Sequence, residues 1–160
     1  MVVAAESLIA LAVDSARTGD VETLGRLLDT GVSVEAVSPR GDSLLMLACY
    51  HGHTDAVRLL LARGANPNAA NASGQVPLAG VAFRGLVPIA ALLADAGADL
   101  DAAGPDGRTP LMTAAAFNRT EMVRWLLERG ASRDARDRAG LRAIDCARAM
   151  NAADALALLS

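Results

Sequence analysis

Glycine recurs along this chain at a fixed interval of 33 residues, and this interval limits the possible folds more than any other feature. Self-similarity at a period of about 20 to 50 residues is the signature of a repeat architecture. Gly and Asn are the residues that most readily adopt the left-handed conformation that ends a helix. The register that contains Gly19, Gly52, Gly85 and Asn118 therefore predicts a tight turn between two helices. The three registers are Gly41, Gly74, Gly107 and Gly140; Gly31, Gly64, Gly97 and Gly130; and Gly19, Gly52, Gly85 and Asn118.

Apolar residues repeat at the same interval. Residues 56–61 and 122–127 show the spacing of one helix face, which predicts a second helix of about ten residues in each unit. The first half of each unit is shorter and rich in small residues, as in 111–116, so neighbouring first helices can approach closely. Stretches rich in turn-forming residues, such as 64–74, separate the units. The pattern predicts an all-α solenoid of stacked helix-turn-helix units with β-hairpin-like loops.

Three motifs carry a resemblance to a known family. The run Asp-Gly-Arg-Thr-Pro-Leu at 106–111 looks like the start of its repeat, Gly52-His53 like its inter-helix turn, and 59–68 like its second helix and exit loop. In these motifs the chain resembles the ankyrin repeat family, over nearly its whole length. The resemblance implies one ankyrin-repeat domain over 1–160, with repeats at approximately 5–37, 38–70, 71–103, 104–136 and 137–160.

The two terminal repeats depart from the pattern. Leu8 stands where the first repeat should have its hairpin glycine, and the fifth repeat runs only to Ser160, with little of a second helix. A solenoid needs special repeats at its ends, so both are interpreted as caps. Internal repeats also vary at the start of their first helix, where Ser43, Val76 and Thr109 occupy one position.

Composition excludes several functional classes. The net charge of −3 and the pI near 5.3 do not provide the concentrated basic surface that binds nucleic acid. Glu6 and Asp14 interrupt the apolar start of the chain, which has no basic leader, so it is interpreted as the first helix and no membrane association is expected. Cys49 and Cys146 fall in repeats two and five, too far apart for a disulfide, and a reduced, cytoplasmic protein is expected.

Function is expected at positions that stacking leaves exposed, the hairpin tips and the ends of the first helices. Aromatic residues, otherwise scarce at 2% of the chain, concentrate there and resemble interface anchors; the alternative is partial burial against the next turn. The charges there are mainly basic, including Arg119, and the alternative is that these arginines are merely solvated. The predicted partner-binding residues, on a concave face centred on repeats two to four, are Arg17, Arg40, Asp42, Tyr50, His51, Gln75, Phe83, Arg84, Asp106, Arg108 and Phe117.

These features favour a protein-binding adaptor or inhibitor, plausibly a monomeric bacterial accessory or neutralising protein, over an enzyme. Its partner would be a protein with an acidic and apolar surface segment. One alternative is a scaffold that self-associates through its last repeat. A remote alternative is a metal protein or enzyme, but His51 and His53 lack the spacing that suits a metal on one helix face, and Cys49 lies in a buried small-residue column. No cofactor or metal is expected.

Overall fold

The chain folds into consecutive helix pairs that stack as a solenoid. The computed structural model describes residues 2–160, and for residues 2 and 3 their backbone only. This part of the chain holds ten α-helices and no strands, which confirms the predicted all-α class. The helices are α1 Val2–Thr18, α2 Val21–Asp29, α3 Leu44–Tyr50, α4 Thr54–Ala62, α5 Pro77–Arg84, α6 Val87–Asp95, α7 Pro110–Ala116, α8 Thr120–Glu128, α9 Ala143–Ala149 and α10 Ala153–Leu159. We call the successive pairs, from α1–α2 to α9–α10, units one to five.

The turn inside each unit depends on a left-handed residue. The backbone φ is +80° at Gly19, +76° at Gly52 and +72° at Gly85, and Asn118 adopts +56° at the next position of the same register. Asn151, one period later, adopts +55° and extends the register into unit five, where the glycine pattern did not assign it. Asparagine therefore replaces glycine at this turn in units four and five.

The helices stack through columns of buried residues one period apart. Ala16, Cys49, Ala82 and Ala115 are all completely buried, and these small side chains allow the first helices to pack closely. A second column, in the second helices, is also completely buried and consists of Leu24, Val57, Ala90 and Val123. Cys49 therefore serves packing, and its burial raises the thiol pKa to about 12, which makes it a poor nucleophile.

Hairpin-like loops connect the units. In four of them a backbone amide donates to the carbonyl four residues later, from Ser38 to Asp42, Asn71 to Gln75, Gly104 to Arg108 and Asp137 to Leu141. Gly41 and Gly107 have positive φ, and a side chain on either would come within 2.9 Å of a backbone nitrogen of the following loop. Glycine is required at both positions because adjacent hairpins touch.

Acidic and amide side chains tie the exit loops together. Carboxylate or amide oxygens at one-period intervals accept hydrogen bonds from backbone amides of the following unit: Glu35 from Asn66 (2.7 Å), Asn68 from Asp99 (2.8 Å) and Asp101 from Ser132 (2.9 Å). These hydrogen bonds engage part of the chain's acidic side chains in the contact between units, so those side chains contribute to stacking rather than to recognition.

The two end units differ in polarity. In unit five, Asp145 and Arg148 stand one period after Met112 and Ala115, both of which are buried. The Asp145 carboxylate pairs with Arg148 at 3.3 Å and with Arg142 at 3.2 Å, so this end is charged. In unit one, α1 begins at Val2, ahead of the expected boundary at residue 5, and it exposes Leu8, Ile9 and Leu11.

Candidate functional site

A groove of about 1100 Å³ runs along one side of units one to three and extends to Thr113 of unit four. The loops before α3 and α5 form one wall, with Ser38 and Asn71 among their lining residues. The other side consists of first-helix residues, and its apolar surface includes Met46, Leu47 and Pro77. Pockets that join an apolar floor to a few polar rim groups are the usual form of a binding site, so this groove is the candidate.

Seven of the predicted partner-binding residues line the groove, and four do not. Those that line it are Arg17, Arg40, Asp42, Tyr50, His51, Gln75 and Phe83. Those outside it are Arg84, Asp106, Arg108 and Phe117. The groove thus lies one unit closer to the N-terminus than the expected centre at repeats two to four.

The reason for this displacement is side-chain size at one repeating position. Tyr50 and Phe83 occupy this position in units two and three, whereas units four and five have Ala116 and Ala149. Alanine side chains are too short to wall a groove, and Thr113 is the last residue that contributes to it.

The aromatic side chains are partly packed and partly exposed. Tyr50 is 44% exposed, and its ring lies against Gly80 of the next unit, where an added Cβ would come within 3.2 Å of the ring. Phe83 is half-buried and meets Phe117 edge-on, with ring centroids 4.6 Å apart. Neighbouring contacts therefore hold these rings in place while leaving one side of Tyr50 free, an arrangement that suits interface anchors.

The ends of the first helices are closed by side chains of the following unit. The His53 Nε2 donates to the Arg17 carbonyl at 2.8 Å, and two periods later the Arg119 Nε donates to the Phe83 carbonyl at 2.7 Å. Leu86 occupies this position in unit three and cannot donate. Arg84 instead donates from Nη1 to the Tyr50 carbonyl, and its guanidinium lies 5.7 Å from the Tyr50 ring centroid.

These contacts revise the interpretation of the basic face. Arg84 and Arg119 each use part of their guanidinium to satisfy carbonyls at a helix end. Arg40 forms no ion pair within the described residues, and the Arg17 pair with Asp14 is long at 3.9 Å. Exposed pairs of this kind contribute less than about 1 kcal/mol, so Arg17 and Arg40 are available to a ligand.

His51 is exposed at the groove edge, close to other cationic groups. Its ring meets the Tyr50 ring edge-on at 5.3 Å and stacks on His53 at 6.3 Å. Partial burial lowers the pKa of His51 below its usual 6.5, and His53, Arg17 and Arg84 lower it further by repulsion. His51 is therefore neutral at neutral pH, although it lies among cations.

Gly80, Ser38 and Asn71 are among the groove residues that the sequence pattern did not indicate. Gly80 lies inside α5, outside the three glycine registers, and makes room for the Tyr50 ring; a glycine in a helix interior was the available signal. Ser38 and Asn71 begin their hairpins, and their side-chain oxygens accept from backbone amides two and four residues later. Asn71 also donates to Asp42 at 2.9 Å, which leaves Asp42 less free for a ligand.

Two negative findings apply to residues 2–160. In that range no three or more His, Cys, Asp or Glu side chains are grouped so that they could hold a metal ion. No helix there is both long enough and apolar enough to cross a membrane.

Comparison with known proteins agrees with the geometry. A family model described as ankyrin repeats (3 copies) matches residues 10–104, and a second, described as ankyrin repeats (many copies), matches residues 93–147. A protein of Pseudomonas aeruginosa described as an ankyrin repeat protein is 52% identical over 46 residues, which is 29% of this chain and 27% of that protein. Ankyrin repeats generally act as protein–protein interaction modules. The chain belongs to the ankyrin repeat family.

Proposed function

We propose that this chain binds a partner protein through the groove of units one to three and catalyses no reaction. The main support for this proposal is the groove itself, an open site of about 1100 Å³. Its surface combines Tyr50 and Phe83 with Arg17 and Arg40, two arginines that are available to a ligand. Aromatic and arginine side chains are the residue types that dominate interface energetics. The proposal treats residues 1–160 as a single ankyrin-repeat domain with the five repeats given above.

The partner that fits this groove is a protein segment with acidic and apolar side chains. Arg17 and Arg40 line the groove and supply forked donors for carboxylates, while the half-buried Met46, Val76 and Ala79 supply apolar contact area. Asp42 also lines the groove, but Asn71 already donates to it. The remaining exposed charge of the groove is therefore positive, which attracts an acidic segment.

A monomeric, cytoplasmic, bacterial accessory or neutralising protein is the biological form of this proposal. The similarity to a short part of a Pseudomonas aeruginosa ankyrin repeat protein supports the bacterial element of it. Such a protein acts by binding one partner, so its affinity for that partner is the property to measure.

A matched pair of variants tests the groove. Tyr50→Ala with Phe83→Ala removes both aromatic anchors, whereas Leu127→Ala with Met150→Ala removes two apolar side chains of units four and five that lie outside the groove. In affinity capture from native lysate, the control variant should retain the partner of the wild-type chain. The groove variant should bind it at least about thirtyfold more weakly, since the loss of one anchor of this type costs about 2 kcal/mol and the variant loses two.

The result counts only if both variants are folded, which circular dichroism and thermal unfolding establish. Partners retained equally by the groove variant and the wild-type chain would contradict the proposal. Loss from the control variant alone would place binding on units four and five instead.

Self-association is the second candidate, and one observation favours it. Leu8, Ile9 and Leu11 of α1 are 41%, 37% and 46% exposed, which is unusual for aliphatic side chains on one helix. The charged surface around Asp145 weighs against the last unit as the contact. Sedimentation at high protein concentration separates the two candidates. A protein that stays monomeric at every concentration would exclude self-association.

A further inference from the structure

Three basic side chains from three successive units lie near one another beside Tyr50: Arg17 and His51 line the groove, and Arg84 lies outside its lining. Arg17 lies at the end of α1, His51 directly follows α3, and Arg84 ends α5. Tyr50 connects two of them, because the His51 ring meets its ring edge-on at 5.3 Å and the Arg84 guanidinium lies 5.7 Å from its centroid. We call Arg17, His51 and Arg84 the groove lip.

Within the described residues no carboxylate forms an ion pair with His51 or Arg84 of the groove lip, and the one pair of Arg17 is long. The titratable and charged groups that influence His51 are His53 from the turn, Arg17 from α1 and Arg84 from α5, and all of them repel a proton. Tyr50, on its own helix, contributes a neutral ring. The nearest acidic partner of the lip is Asp14, 3.9 Å from the Arg17 guanidinium and itself largely exposed.

The lip retains hydrogen-bond donors for a ligand. A guanidinium has five N–H donors, and Arg84 uses Nη1 on the Tyr50 carbonyl. The Arg17 carbonyl is satisfied by His53, so the Arg17 side chain is not needed to close that helix end. The His51 side chain makes ring contacts and no hydrogen bond within the described residues.

We propose that the groove lip is the subsite that binds a carboxylate of the partner's acidic segment, and that His51 takes up a proton when this carboxylate binds. The proposal rests on the proposed function, since it assigns one part of the groove to one chemical group of the partner. Two arginines supply fixed positive charge, and the imidazole adds a third charge only in the complex.

Proton uptake follows from the electrostatic surroundings. In the free protein, partial burial and repulsion from His53, Arg17 and Arg84 favour the neutral imidazole of His51. A bound carboxylate favours the imidazolium, so the pKa of His51 is higher in the complex than in the free chain. Between these two pKa values affinity rises as the pH falls, and a rise of about one unit corresponds to about tenfold tighter binding at the acidic limit.

Selection from a displayed library of random peptides at about pH 6, near the ordinary His pKa, tests the subsite without a known partner. Peptides selected by the wild-type chain should be enriched in Asp and Glu. Arg17→Gln with Arg84→Gln should remove this enrichment, whereas Arg26→Gln with Arg124→Gln, which lie on second helices, should preserve it. Arg17→Gln alone provides a milder variant, because its side chain makes no hydrogen bond between units.

The pH dependence is then measured on one selected peptide. Its affinity should be several-fold higher at about pH 5.5 than at about pH 7.5 for the wild-type chain, below the roughly tenfold limit, and His51→Gln should flatten this difference. Calorimetry in buffers of different ionisation enthalpy should show proton uptake for the wild-type chain only.

The outcomes separate the two proposals. Peptides without acidic enrichment that still depend on Tyr50 and Phe83 would overturn the lip subsite and leave the groove in place. Affinity that is equal at both pH values would overturn proton uptake by His51. Selection that is unaffected by Tyr50→Ala with Phe83→Ala, or no selection at all, would contradict both proposals.

Discussion

The groove side of units one to three and the same side of units four and five have one backbone but different side chains. Gly41 and Gly107 both have positive φ, and a Cβ added at either would lie 2.9 Å from a backbone nitrogen of the next loop. The end of the first helix nevertheless carries Tyr50 and Phe83 in one region and alanine in the other. Stacking therefore constrains the turns and the buried columns, while recognition depends on a few exposed columns that are free to differ.

The largest expected effect tests whether the two regions are equivalent as scaffold. Gly41→Ala and Gly107→Ala should each destabilise the fold by about 3 kcal/mol, because a Cβ adds left-handed strain and a contact with backbone. Gly140→Ala should cost only about 1 kcal/mol, since φ is +82° there but no atom lies within 4 Å of the added Cβ. Chemical denaturation measures all three.

Unequal losses at Gly41 and Gly107 would show that the two regions differ in their scaffold as well as in their exposed side chains. A loss at Gly140 as large as the others would show that φ strain alone, and not hairpin contact, accounts for the glycine register.

A smaller effect concerns the start of the first helices. The Ser43 and Thr109 hydroxyls accept from backbone amides of Met46 and Met112, at 3.0 and 3.3 Å, whereas Val76 in unit three provides no such cap. Val76→Thr should stabilise the fold by about 1 kcal/mol, because the backbone at Val76 is already extended as a cap requires. Thr109→Val should remove about the same amount.

Thermal and chemical unfolding of these two variants form a matched measurement. If Thr109→Val is destabilised but Val76→Thr is not stabilised, the first helix of unit three begins differently from that of unit four.

The smallest effect is a pH dependence confined to the groove region. The pKa of His51 is lowered in the folded chain, so the unfolded chain binds more protons and stability decreases as the pH falls through about 6.5. His51→Gln should lose less stability than the wild-type chain between about pH 7.5 and 5.5. The comparison of urea midpoints at the two pH values checks this, and equal decreases would contradict it.

The sequence was sufficient for the fold because stacking makes the same demands at every unit. The three registers predicted the turn at Gly52 and the hairpin at Gly107, and the pattern of small residues predicted the buried position of Cys49. Identical requirements at regular intervals produce a signal that one sequence can reveal.

The site was less accessible because it depends on differences between units. Repeat spacing indicated which columns are exposed, but not that Ala116 and Ala149 end the groove. It also did not show that Arg84 donates to the Tyr50 carbonyl in place of Leu86, which has no donor. In units two and four this donor comes from the column of Leu86, whereas Arg84 belongs to a different column. Side chains that compensate for one another across columns require coordinates.

Mapping of a bound partner or selected peptide by amide chemical shifts tests the central claim most directly, and a chain of 160 residues is small enough for the method. The account predicts that the largest changes fall on the hairpins at 38–43 and 71–76 and on the ends of α3 and α5, with little change in α8 to α10. Changes concentrated on the second helices, or on units four and five, would contradict the assignment of binding to this groove.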